Sequence, residues 1–265
     1  MAESKNRSLD AELLLETVLE AGKIGLKYFK SENEVWFKSG NSPVSQADKE
    51  IDNYLRTTFS RERSDYGWLS EETEDNVERL NCKRVIIADP IDGTRGFIGG
   101  RDEWCISIAI IEDARPIEAI LHCPALDQTF LASKGNGFEF IGTNKPGQNT
   151  EKKPFVTGSN KLIETMRELP NTPFEVMDFI PSLAYRLVLV ATGTLDAAFA
   201  RGGASEWDVA AADLILEEMG CKLTDANQNK IEYNRKKVQV PALIAAHHNR
   251  YEEIFTLAKQ AGFLH

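Results

Sequence analysis

Basic charge is in short supply in this 265-residue chain: 31 Lys and Arg stand against 41 Asp and Glu, a formal net charge of -10. Gripping a nucleic-acid polymer needs a basic surface, so no polymer partner is expected. Cysteine is sparse too. Cys82, Cys105, Cys123 and Cys221 are scattered, with no Cys-x-x-Cys pair. That argues against a disulfide frame or a zinc ribbon and fits reduced, packed thiols. His247 and His248 are adjacent, a poor spacing for two ligands on one helix face. Long apolar runs are missing as well: no stretch approaches the roughly 18 residues of a membrane span. Met1 to Asp10 is polar and lacks an apolar signal core, so no membrane association is expected and the default compartment is the cytoplasm. There is no internal repeat and no low-complexity tract.

What is present suits a soluble globular protein, with 42% hydrophobic and 27% charged residues. The length allows one large domain or two intimate halves. Residues 9–30 have the helical spacing of Leu13, Leu14, Val18, Ile24 and Leu26, with Asp10 as cap, and 46–60 predict a second helix. Strands follow at 66–69, 84–88, 104–111, 117–121 and 128–132, with a turn at Gly135 and Gly137. A polar Gly- and Lys-containing loop at 141–153 marks the boundary between subdomains of about 1–145 and 146–265 within one domain, 1–265. Beyond it the chain alternates: strands at 155–157, 174–176, 196–200 and 221–224, helices at 160–168, 182–191, 206–219 and 249–261. The expected class is α/β.

Carboxylates stand at the ends of two of these strands. Arg84-Val85-Ile86-Ile87-Ala88 runs into Asp89-Pro90-Ile91-Asp92-Gly93-Thr94. Pro90 has no N–H for a central ladder, so the strand should stop there. Gly93 and Thr94 then open a turn whose N–H groups suit a phosphate. Carboxylates beside a phosphate repel it unless cations lie between, and Mg²⁺ binds one or two carboxylates together with phosphate oxygens. A capped Asp-Gly turn is the plainer reading of this segment taken alone. Glu71-Glu72 follows the strand at 66–69; side chains alternate in extended chain, so one of the two should face a shared site. Asp208, in Ser205-Glu206-Trp207-Asp208, should occupy the first turn of a helix, where the dipole also favours it for purely structural reasons. An aspartyl-phosphate phosphatase would carry its two acids two residues apart; here the spacing is three.

Together these segments resemble the inositol monophosphatase superfamily of lithium-sensitive magnesium phosphatases. Its patterns read here as Glu71-Glu72, Asp89 to Thr94, and Trp207-Asp208-Val209-Ala210-Ala211. Lys38 and Ser42 to Asp48 resemble its N-terminal loop, and Val190-Ala191-Thr192-Gly193 the helix end before the last metal Asp. The resemblance implies an α-β-α-β-α sandwich, a homodimer and a Mg²⁺-dependent phosphoric monoester hydrolase. Glu71, Asp89 and the Ile91 carbonyl would hold one Mg²⁺, and Asp89, Asp92 and Asp208 a second. A third, weaker ion would share Glu71. Asp48 and Thr94 resemble the pair that orients and deprotonates the attacking water, and Gly93 and Thr94 the phosphate-binding amides.

The resemblance implies a small phosphorylated molecule as substrate. Inositol monophosphatases resemble Gly-Thr-Thr-Asn-Phe after the metal motif and carry an acid seven positions before the last metal Asp. This chain has Arg95 and Arg201 at those places. Gly93-Thr94-Arg95-Gly96-Phe97-Ile98 and Glu206-Trp207-Asp208 are more similar to the 3′(2′),5′-bisphosphate nucleotidases, and Arg186 aligns with a basic residue of that branch. A second phosphate needs a cation, and Arg95, Arg186 and Arg201 are the candidates. The expected reaction is hydrolysis of adenosine 3′,5′-bisphosphate to AMP and phosphate. The alternatives are inositol 1-phosphate, histidinol phosphate, and a metal-binding protein of this fold without turnover.

Overall fold

The fold is described from a computed structural model, for residues 7–31, 34–38, 43–150, 153–168, 172–260 and 262. Gly40 and Ser42, part of the predicted N-terminal loop, lie outside the described residues. Helix α1 (Leu9–Tyr28) buries Ala11, Leu14, Val18 and Ala21 along one stripe. Its cap is Ser8, not Asp10: the Ser8 hydroxyl accepts the Ala11 N–H at 3.0 Å. Asp10 has three other partners, Arg63 at 2.6 Å, Arg84 at 2.9 Å and Tyr66 at 2.9 Å. These leave it no role at the helix end.

A short ribbon, β1 (Val35–Phe37) with β2 (Pro43–Ser45), leads into α2 (Gln46–Glu62). The first large sheet has the order β3 (Gly67–Ser70), β4 (Arg84–Asp92), β5 (Cys105–Glu112), β6 (Arg115–Cys123), β7 (Gln128–Ser133), β8 (Gly137–Gly142). Only β3 and β4 pair in parallel. Between β4 and β5 lies the short α3 (Thr94–Ile98). The second half supplies β9 (Phe155–Thr157), α4 (Asn160–Glu168), β10 (Glu175–Val176), α5 (Leu183–Ala191), β11 (Ala197–Ala200), α6 (Ala210–Glu218), β12 (Cys221–Asp225), β13 (Leu243–His247) and α7 (His248–Gln260). Its sheet runs β10-β9-β11-β13-β12.

Strand alternation fixes the layers. On β4, Ile86 and Ala88 join the core of α1 and α2, while Val85 and Ile87 face the core of α5 and α6. On β11, Ala198 and Ala200 face α5 and α6, while Ala197 and Phe199 face the core containing Leu162 of α4 and Tyr251 of α7. The result is the expected sandwich: α1/α2, six-stranded sheet, α5/α6, five-stranded sheet, α4/α7. No helix among the described residues is long and apolar enough to cross a membrane.

The structure departs from the sequence expectation at four further places. Strand β4 does not stop at Pro90 but continues to Asp92. Its pairing with β3 ends at Ala88, and its register with β5 shifts between Asp89 and Asp92. Pro90 thus sits in an irregularity on a one-sided strand, where no ladder N–H is demanded. The loop expected from 141 begins later, because Gly137–Gly142 forms β8 on the sheet edge. Strand β13, absent from the sequence reading, lies between β11 and the edge strand β12 in the second sheet. The helix expected at 206–219 is divided into a 3-10 turn at Glu206–Asp208 and α6.

His122 on β6 illustrates the packing tolerance. It is buried, its Nδ1 lies 2.8 Å from the Thr129 hydroxyl, and it occupies the space above Gly22, where a Cβ would come within 2.4 Å of its ring. Burial lowers its pKa from 6.5 to about 4. The unfolded chain therefore takes up a proton as pH falls through 6.5 that the folded protein refuses until about 4. Stability linked to this residue is lost over that window, about 2 kcal/mol of it by pH 5. The wild type should lose that much more stability than His122→Gln between pH 7 and pH 5, measured by urea unfolding; parallel pH profiles would refute it.

Candidate active site

The carboxylates arrive from separate segments. Glu71 follows β3, Asp89 and Asp92 lie at the end of β4, and Asp208 closes the 3-10 turn before α6. One oxygen each from Glu71, Asp89 and Asp208 falls within 4.8 Å of the others. They line a cleft of roughly 190 Å³ together with Asp92, Gly93, Thr94 and Arg95, walled by Pro43, Phe179 and Pro181.

Most of the acids are held by one oxygen. Asp89 Oδ1 accepts the Ile91 N–H at 3.0 Å. Asp208 Oδ2 accepts the Ser205 N–H at 2.7 Å, and Asp48 Oδ2 accepts the Ser45 N–H at 2.7 Å. The last two are the same device, Ser-x-x-Asp at a helical start. Asp208 therefore does serve a helical terminus, that of a 3-10 turn. Asp92 Oδ2 accepts the Ser182 hydroxyl at 2.5 Å and the Ala184 N–H at 2.6 Å, tying β4 to the start of α5. Gly93 lies at φ 97, and a Cβ there would meet the Ser182 backbone at 3.1 Å, so both conformation and space require glycine.

The Asp48–Thr94 pair is formed. The Thr94 hydroxyl lies 3.1 Å from Asp48 Oδ1 and 3.0 Å from the Ile91 carbonyl. Burial pushes the Asp48 carboxyl up to about 6. The two glutamates divide as alternation demands in one respect: Glu71 alone joins the cluster. Lys38 nonetheless reaches both, at 3.2 Å to Glu71 and 2.6 Å to Glu72.

This set of donors fits a divalent cation. Asp89 Oδ2 is buried without a hydrogen-bond partner, a costly state for a carboxylate oxygen unless an ion meets it. Burial, reinforced by Asp92 and Glu71, pushes Asp208 up to about 8, and burial, with Glu71 next, raises Asp89 well above its usual range. Acids so crowded stay ionised only beside compensating positive charge. Oxygen ligands of this kind suit Mg²⁺. A cleft of about 290 Å³ beside β12 shows the contrast: its buried Asp213 is already paired with Arg115 at 2.7 Å and Tyr233 at 2.9 Å.

The sequence profile of the inositol monophosphatase family matches residues 8–262. The chain belongs to that family. Its class is that of Mg²⁺-dependent phosphomonoester hydrolases, so this family member is a phosphatase that takes phosphorylated small molecules. It is 26% identical over 237 residues to the 3′(2′),5′-bisphosphate nucleotidase CysQ of Aggregatibacter actinomycetemcomitans, covering 84% of this chain and 87% of the relative. It is 32% identical over 197 residues to the histidinol-phosphatase of Mycobacterium tuberculosis, covering 69% and 74%. An inositol monophosphatase structure from Zymomonas mobilis superposes with a TM-score of 0.77 at 24% identity, over 96% of this chain and all 100% of the other, and supports the fold.

The three arginines separate in space. Arg95 is exposed and lines the cleft. Arg201 is exposed and is not among the lining residues. Arg186 is buried and is not among the lining residues. Glu206 also faces away: it is fully buried and accepts the backbone N–H groups of Asn234 at 2.6 Å and Arg235 at 3.1 Å. It anchors the turn that carries Asp208.

Sequence reasoning passed over Ser182. Its hydroxyl caps α5 by accepting the Tyr185 N–H at 2.9 Å and donates to Asp92. A serine before an apolar helical run is the signal that could have found it. Ser182→Ala should cost about 1–2 kcal/mol in chemical denaturation, a lost cap plus a lost hydrogen bond to a charge. A change under a few tenths would contradict this.

Proposed function

We propose that this protein hydrolyses a nucleoside 3′,5′-bisphosphate, with adenosine 3′,5′-bisphosphate giving AMP and phosphate. The observation that carries the phosphatase site is the convergence of Glu71, Asp89 and Asp208 within 4.8 Å of one another, in the cleft that Thr94 also lines. Glu71, Asp89, Asp92, Asp208 and the Ile91 carbonyl would hold two Mg²⁺ ions. When bound, these ions supply the positive charge that offsets the acids and the charge on the phosphoryl oxygens.

The chain's own residues do the rest. Thr94 Oγ1, fixed between Asp48 and the Ile91 carbonyl, orients the attacking water. Asp48 takes the proton through the Thr94 hydroxyl, and its buried setting keeps its basicity close to neutral. Gly93 and Thr94 amides cradle the phosphoryl group. Arg95, on the cleft wall, meets the second phosphate. A phosphate-release assay, with and without Mg²⁺, on adenosine 3′,5′-bisphosphate, inositol 1-phosphate and histidinol phosphate tests the reading. It expects the first to have the highest kcat/KM and Arg95→Ala to reduce only that preference. Better turnover of either other ester would replace the substrate, and no Mg²⁺-dependent release from any would remove the site.

A further inference from the structure

Arg186 is placed where the phosphoryl-transfer chemistry leaves it unused. It lies on α5, one turn beyond the Ser182 cap, and is 7% exposed. A guanidinium stays charged in proteins and carries five N–H donors. Here Nε donates to the Ser182 carbonyl at 3.2 Å, and the group sits 5.4 Å from the Phe179 ring centroid. Nη1 is buried with no hydrogen-bond partner. A cation in that condition is expensive unless negative charge lies near.

That negative charge comes from the active site: Ser182, whose carbonyl accepts from Arg186 Nε, donates its hydroxyl to Asp92 at 2.5 Å, and Phe179, beneath the guanidinium, lines the same cleft as Asp92 and Asp208. Burial pulls Arg186 below its usual range, and Asp92 and then Asp208 pull it back up. Burial raises both acids, and Arg186 offsets part of that rise. Yet among the described residues no hydrogen bond or ion pair joins Arg186 to either carboxylate. The charge acts through space and takes up no ligand oxygen.

Resting on the metal-site reading above, we propose that Arg186 is a permanent countercharge built in beside the acids, a positioning residue that limits how many cations the site retains and favours a phosphate dianion on it. Charge counting gives the reason. Glu71, Asp89, Asp92 and Asp208 carry four negative charges, which two divalent ions balance. Arg186 adds one positive charge beyond that balance, which offsets the nearby Asp48 carboxylate, favours an incoming dianion and opposes a further cation. In a buried site such a field is screened far less than at the surface.

The test is Mn²⁺ binding by calorimetry on the full chain without substrate, together with inorganic phosphate binding to the Mg²⁺-saturated protein. Arg186→Gln should bind Mn²⁺ about tenfold more tightly and phosphate about tenfold more weakly, as expected for a lost buried charge. Arg186→Lys should stay near wild type. Arg186→Met preserves the apolar stem beside Phe179 and reads the same constants if the Gln variant folds poorly. Unchanged or weaker Mn²⁺ binding in a folded variant overturns the proposal. So does unchanged phosphate binding, which would leave Arg186 no part in favouring the dianion. Wild-type protein that binds no Mn²⁺ would instead remove the metal-site reading on which the proposal rests.

Discussion

Asp208→Asn should lower turnover by about 10³-fold or more, on the scale of losing a group that supports transition-state charge. It should also raise the melting temperature of the metal-free protein. The two effects share one cause. With no cation present, burial and the neighbouring Asp92 and Glu71 push Asp208 up to about 8, far above an unfolded carboxylate. A raised folded pKa favours folding at low pH, and that advantage disappears as pH rises through the folded value. At neutral pH and above, the metal-free protein therefore bears acid crowding that an amide relieves. In a chain of this size each kcal/mol moves the melting temperature by about 2–4 °C, so a gain of several degrees in chelator is expected. Mg²⁺ should reverse the order. Ligand present at 100 times its dissociation constant stabilises by ~2.7 kcal/mol, and the variant would forfeit most of that. Asp89→Asn should behave alike, because its Oδ2 is the buried oxygen without a partner. Calorimetric scans with EDTA and with Mg²⁺, paired with phosphate release, check both. An Asp208→Asn protein that keeps full activity, or the same Mg²⁺ shift as wild type, would remove Asp208 from the metal site.

The sequence carried the parts of this site that are local. Asp89 to Thr94 is contiguous, so a strand end, two acids and a helix start could be read together. Ser45 to Asp48 and Ser205 to Asp208 are local as well, and the capping pattern accounts for why those acids are held. Convergence was not local: Asp208 reaches Glu71 and Asp89 only because α6 packs against the six-stranded sheet, which no spacing states. Short apolar runs were ambiguous in the same way. Leu243–His247 is alanine-rich, and periodicity alone cannot tell such a run from helix; pairing with β11 and β12 decides it. Pro90 misled because the rule for central strands applies only where both neighbours persist. Arg186 was seen as a cation but not as a buried one. Helix α5 is buried at all nine of its positions, so its one charge had to find its compensation inside.

Thr94→Ala and Asp48→Asn should each reduce kcat by about 10²–10⁴-fold, the usual range for a positioned proton-transfer group. The two losses should not add. Thr94 Oγ1 touches Asp48 at 3.1 Å and the Ile91 carbonyl at 3.0 Å, so either change breaks a single relay, and the double variant should be little worse than the poorer single. The metal ligands are left in place, so Mg²⁺ should still raise the melting temperature of both. Stability then separates the two variants. Asp48 also closes the capping box at the start of α2, through Ser45 N–H and Oγ at 2.7 and 2.5 Å. An asparagine oxygen can still accept the Ser45 N–H, and the amide sheds the burial penalty that pushes Asp48 up to about 6, so Asp48→Asn should be neutral to stabilising at neutral pH. Thr94→Ala removes a hydroxyl bonded to Asp48 and near the Ile91 carbonyl and should cost about 1 kcal/mol. Single-turnover kinetics and urea unfolding on the four proteins of this cycle measure both. Additive losses in kcat would show that Asp48 and Thr94 act independently, and the water-activating role of the pair would fall with that result.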